Sequence, residues 1–314
     1  MTTTTASTRE AFGHTLLELG RENPDIVVLG GDLNISTFTT LFAREFPERF
    51  FDFGPSEQNI LSAAAGMASS GKIPFVATFA VFGTGRAFDQ IRVGIAQPRL
   101  NVKLVCTHAG LLTGEDGVSA QSIEDVALML SLPTMTVITP CDGPEAAQAV
   151  RAAVSIPGPV YIRLYRPATP VVHASDYVIR VGVAETLRQG SDVTIVACGS
   201  MVPAALEAAE LLAAEGTSCR VLNMHTLRPT DEAAIEAAAR ETGALVTAEE
   251  HFVHGGLGSI VAGVVVRTCP VPMEFVGVTR YAESGRAEEL LEKYGLTAAH
   301  VALATHKALA RKSG

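Results

Sequence analysis

Glu57 follows the turn Gly54-Pro55-Ser56 and opens the run EQNILSAAAGMASSG, which carries no second charge before Lys72. The small residues suit a buried helix, and an acid at its mouth has two uses. As a helix N-terminal residue it gains about 0.3–1 kcal/mol from the dipole. Facing a dry site, it can instead share a proton with a ligand, since apolar surroundings favour the neutral form of a carboxyl.

Other residues with chemical potential recur in the first half of the chain. Asp32 follows VVLGG, Phe79 and Phe82 sit in TFAVFG, and His108 follows KLVCT. Glu115, Asp116 and Gln121 lie in GEDGVSAQ, and Arg166 closes YIRLYR. Each alone has a plain structural reading as a cap, a core ring, a surface residue or an ordinary turn. Together they would supply acids, two aromatic rings, an imidazole and a guanidinium, the makings of a polar site with an aromatic wall.

The elements that must position them are legible as apolar runs without strict polar alternation: 25–31, 72–80, 101–108, 134–140 and 158–165. Such runs are what parallel strands covered on both faces look like. Helical stretches at 8–20, 57–70, 84–97, 122–131 and 143–154 alternate with them. The candidates all follow strand ends, where open α/β sheets bind their ligands. After a segment rich in Pro and turn formers the alternation restarts, with strands at 191–200, 218–224, 244–250 and 273–278 and helices at 202–215 and 231–241. The expected architecture is therefore α/β, two layered domains, each a largely parallel sheet flanked by helices. Their bounds are 1–167 and 185–314, with a linker at 168–184. The four-threonine start is expected to fray.

Composition narrows the functions. Among 314 residues, 33 Asp and Glu against 24 Lys and Arg leave a net charge of −9, which disfavours nucleic acid and anionic membrane as partners. Charged residues are 18% and hydrophobic ones 47%, so part of the surface is expected to be covered by other subunits. The run GSIVAGVVVRT is too short to span a bilayer, and the start does not read as a secretory signal. Five scattered cysteines without a CxxC pair fit a reducing cytoplasm. Neither GTG at 83–85 nor GGLGS at 255–259 completes a nucleotide loop, and no GxSxG elbow occurs. His251 and His254 in EEHFVHGG lack an evident third ligand group, so no metal site is assigned.

The segments GPSEQNILSAAAGMA, TFAVFGTGRAFDQIR and LTGEDGVSAQSIEDVALMLSLPTMTVITP, taken as a set, resemble the carboxyl-terminal portion of transketolase. The likeness covers nearly the whole chain, as pyrimidine-binding domain plus last domain, and is greatest to split transketolases, where this portion is a separate chain. It implies that Glu57 meets the ring nitrogen N1′ of the aminopyrimidine of thiamine diphosphate and promotes deprotonation of the thiazolium carbon. It gives Phe79 and Phe82 the wall against which the pyrimidine stacks and places Asp32 near the cofactor. His108 and Arg166 take the phosphate end of a sugar substrate, and Asp116 a substrate hydroxyl. Glu115 is a weaker candidate, at a subunit contact.

Two departures qualify the likeness. Where the family usually carries a histidine after Val118-Ser119, this chain has Ala120, which puts the identity of the sugar in doubt and leaves cofactor activation intact. No Gly-Asp-Gly, the family's magnesium and diphosphate motif, occurs anywhere. The resemblance therefore implies half an enzyme, whose partner, an N-terminal transketolase subunit, holds Mg²⁺ or a similar ion. It also implies a homodimer core in an α2β2 assembly, with the second domain adding to the dimer contact and not to catalysis. The competing readings are the β subunit of a 2-oxo acid dehydrogenase, which shares the fold and the acid, and a non-catalytic scaffold subunit.

Overall fold

The computed structural model describes residues 4–312. Its larger sheet runs in the order Phe50–Asp52, Ile26–Gly30, Ile73–Phe79, Lys103–Thr107, Val160–Arg163, Thr136–Ile138, Thr226–Arg228. The first six strands are parallel and the last is antiparallel. Ile26–Gly30 and Lys103–Thr107 are buried at every residue, as a sheet covered on both faces requires. Lys103 is accommodated because its ammonium donates to the carbonyls of Ile156 and Gly158 at 2.7 and 2.9 Å, and burial pushes its pKa down to about 7.

The covering helices start where the sequence offers caps. Thr8–Glu22 begins at Ser7, whose hydroxyl accepts the Glu10 N–H, and Gly143–Ser155 begins at Asp142, which accepts that of Glu145. The smaller sheet runs Met273–Val278, Leu245–Phe252, Val193–Ala197, Cys219–Asn223, Glu185–Arg188, with only the last strand antiparallel. GSIVAGVVVRT forms most of the helix Leu257–Thr268, and no described helix is long and apolar enough to cross a membrane.

Three expectations need correction. The stretch 84–97 is not one α-helix but two π-helical segments, Val81–Arg86 and Gln90–Ala96, the wider winding often found beside functional sites. The helix opened by Glu57 is not buried all round: of its 13 residues only Glu57, Ile60, Leu61 and Ala64 are buried. The threonine start is partly held, because Thr5–Ala6 pair with Thr169–Pro170, while residues 1–3 lie outside the described residues. The two halves also interlock, since Thr226–Arg228 from the second half joins the first sheet, and Leu222, Met224 and Leu227 share one core with Met129, Met135 and Val137.

A buried polar clasp closes the junction at the linker. His173 reaches Asp142 through Nδ1 and Glu185 through Nε2, both at 3.0 Å, while Glu145 accepts from Tyr177 at 3.2 Å and Asn223 at 2.8 Å. These groups have the types and spacing for a metal ion. However, Asp142 already accepts the backbone N–H groups of Glu145, Val172 and His173, so the arrangement is complete as a hydrogen-bonded clasp. Burial alone would lower the His173 imidazole; the bond to Asp142 and the charge of Glu145 outweigh it and lift the pKa from 6.5 to about 9.

Because that folded pKa lies above the unfolded one, the clasp stabilises fully below about pH 6.5 and its contribution disappears by about pH 9. Across this window His173 pulls the denaturation midpoint down with rising pH while the buried Lys103 pulls it up, so the effect of His173 itself is read as the difference between wild type and a variant. In His173→Gln the part of the pH slope due to this residue should vanish; an unchanged slope would refute the clasp.

Candidate active site

The strand order decides what the sequence could only suggest. Read along the carboxyl edge of the large sheet, successive strands deliver Glu57, Asp32, Phe79, His108 and Arg166. Glu57 is 3% exposed, and its Oε2 accepts from Arg86 Nη1 at 3.0 Å. The Arg86 guanidinium lies 4.4 Å over the Phe82 ring. Phe82 stacks at 5.9 Å on Phe79, which stacks at 3.7 Å on the His108 imidazole. From His108 the path continues through Thr113, whose hydroxyl donates to the His108 carbonyl at 2.6 Å and whose own carbonyl accepts from Arg166 at 2.7 Å. Acid, rings, imidazole and guanidinium are thus one contiguous surface.

Asp32 and His108 both adopt positive φ, 53° and 55°, conformations that cost non-glycine residues about 1–3 kcal/mol and cluster at functional sites. Asp32 is exposed, and its N–H donates to Asp52, which also accepts from Asn34 and Gly54. Asp52 thereby ties the loop carrying Asp32 to the one leading to Glu57. Glu115 and Asp116 lie 3.3 and 3.4 Å from Arg166, so Glu115 belongs to this cluster. Ala120 is buried, and Gln121 braces the same loop by donating to the Gly114 carbonyl at 3.0 Å.

Two cations escaped the sequence reading. Arg86 was visible in VFGTGR, four residues after Phe82, and the π-helical segment places its guanidinium over that ring. Arg9, from the first helix, donates to the carbonyls of Arg166 and Ser36, each at 2.8 Å. Burial, then the charges of Arg9 and Arg166, push the His108 imidazole down to about 3. His108 is therefore a neutral hydrogen-bonding group, and the positive charge of this corner comes from the two arginines. His251, by contrast, uses both ring nitrogens internally, with the Ala127 N–H at 3.3 Å and the Phe252 carbonyl at 2.8 Å.

An acid beside stacked rings at one end of a sheet edge and paired arginines at the other is the context in which the comparisons with known proteins are informative. Residues 4–172 match the family described as the transketolase pyrimidine-binding domain, and residues 182–301 match the transketolase C-terminal domain. The chain belongs to the transketolase family. A putative transketolase C-terminal section of Methanocaldococcus jannaschii is 41% identical over 298 residues, covering 94% of this chain and 93% of that one. A 6-deoxy-6-sulfo-D-fructose transketolase subunit from a Clostridium species is 40% identical over 306 residues, covering 97% and 95%. Among solved structures, a split gene transketolase described as an inactive beta4 tetramer superposes with a TM-score of 0.92 at 51% identity, covering 98% of this chain and 99% of that one. The transketolase portion seen here thus has relatives in which it stands as a separate chain.

Proposed function

We propose that the chain is one subunit of a thiamine-diphosphate-dependent transketolase, moving a two-carbon ketol unit from a ketose phosphate to an aldose phosphate. The observation that carries this reading is the buried Glu57 carboxylate beside the stacked Phe79 and Phe82 rings. A flat aminopyrimidine fits there: the rings offer a face, and Glu57 is bonded to Arg86, a half-exposed side chain that can move aside. When bound, thiamine diphosphate would supply the carbanion chemistry that no protein side chain offers.

The chain's own residues do the rest. Glu57 holds a proton at the pyrimidine ring nitrogen, and Phe79 and Phe82 fix the ring plane. Asp32 lies on the adjacent loop, toward the cofactor. Arg9, His108 and Arg166 take the anionic end of the sugar, which exchanges for Glu115 and Asp116 at Arg166. Asp116, released, meets a substrate hydroxyl. The sugar named for the Clostridium relative carries a sulfonate, also an anion, so this corner sets charge more firmly than identity. Ala120 leaves the sugar without the histidine contact usual in the family.

With no Gly-Asp-Gly in the sequence, the divalent ion and diphosphate fall to a partner chain. Apolar side chains left open, including Val93, Val266 and Phe275, favour burial against other chains, in this reading a homodimer core flanked by two such partners, and the free cysteines fit the cytoplasm. The chain alone is expected to be inactive, and addition of an N-terminal transketolase subunit bearing Gly-Asp-Gly is expected to restore ketol transfer at equimolar ratio. Turnover by the chain alone, or none in a stable two-chain complex with cofactor and magnesium, would reject the proposal.

A further inference from the structure

The segment presenting Thr113, Glu115 and Asp116 is a short helical turn, Leu111–Asp116, entered through Gly110 and left through Gly117, both at positive φ. Arg166 holds it from the first domain. From the other side the second domain holds it. Glu250, 2% exposed, accepts the Leu112 N–H at 2.7 Å with Oε1 and the Ser200 hydroxyl at 2.6 Å with Oε2. A Cβ at Gly110 would stand 2.2 Å from that same Oε1, so the turn enters where only glycine leaves the carboxylate room. Gln121 Nε2 donates to the Glu283 carbonyl at 3.0 Å as well as to that of Gly114, and the Ser284 hydroxyl donates to the Glu115 carbonyl.

The second domain was expected to serve only the dimer contact. Its bonds to this turn point elsewhere, because the turn sets where Asp116 stands and which carboxylates Arg166 must release. We infer that Glu250 is a positioning residue, through which the second domain fixes the Leu111–Asp116 turn and hence the geometry of sugar binding. The mechanical half of this inference stands on the hydrogen bonds alone; the sugar half rests on the transketolase reading above. A misplacement of about 1 Å by a residue remote from the chemistry can cost on the order of 10²-fold in rate.

The test pairs amide hydrogen exchange of peptides spanning 110–121 with kinetics of the two-chain complex, using fructose 6-phosphate and glyceraldehyde 3-phosphate as probes. In Glu250→Ala, exchange at Leu112–Asp116 is expected to accelerate and kcat/KM to fall about 10–100-fold, with thiamine diphosphate affinity unchanged. Glu250→Gln, which keeps an acceptor for Leu112, should recover most of both. If Glu250→Ala fails to fold, Ser200→Ala decides, since it removes the hydroxyl that holds Glu250 Oε2 and should loosen the same turn in the same direction. Unchanged exchange in a folded variant overturns the inference, and so does faster exchange with unchanged kcat/KM. A wild-type complex inert toward both sugars would count against the function proposed above, and the exchange data would still decide whether Glu250 holds the turn.

Discussion

Glu57→Gln, assayed in the two-chain complex, is expected to lose about 10²–10⁴-fold in kcat, the span typical of a positioned proton-transfer group, with little change in KM for the sugars. The amide has the shape of the carboxylate, and its oxygen still accepts from Arg86, so neither the helix start nor the Phe79 and Phe82 wall should move. What disappears is the ability to hold a proton against a ring nitrogen. Steady-state kinetics at saturating cofactor, beside a calorimetric titration of thiamine diphosphate, separates lost chemistry from lost binding. Unchanged kcat and unchanged KM would leave the chain a scaffold for its partner. A rise in KM with kcat unchanged would put Glu57 at the sugar.

The architecture and most of the site were legible because the signals are local. Apolar runs buried on both faces announced the parallel strands, and the residue after each strand end named the candidates. Their proximity followed once the strand order put those ends side by side. What the sequence hid depends on contacts between distant residues or on unusual winding. Arg86 reaches Glu57 across 29 residues from a π-helical segment, and so short a segment has no periodicity signal. Arg9 touches Arg166 across 157 residues, and Glu250 meets Leu112 across 138. Thr226–Arg228, three residues in the run HTLRPT, crosses to the first sheet although no pattern in it distinguishes an edge strand from a loop.

The same long-range logic governs the buried pair that joins the two halves. Arg163 Nε donates to Asp125 Oδ2 at 2.8 Å, Tyr161 donates to the same oxygen at 2.5 Å, and Arg163 Nη2 donates to the carbonyls of Ser122 at 3.2 Å and Glu250 at 2.9 Å. Burial alone would raise the Asp125 carboxyl; the Arg163 charge, together with His251 and the hydrogen bonds from Tyr161 and Arg163, more than offsets it and holds the pKa below its ordinary value. Asp125→Ala leaves a guanidinium buried without a counter-charge and is expected to cost about 3–5 kcal/mol, read as a lower denaturation midpoint. Replacing both partners, Asp125→Ala with Arg163→Met, removes the stranded charge and should recover a large part of the loss, because a buried pair repays little more than its own desolvation. If the double variant is as unstable as the sum of the two single ones, the pair is not the source of the effect. The carbonyls of Ser122 and Glu250 would then be the groups that need Arg163, and its principal role would be to join the second domain to the segment that follows Glu115 and Asp116.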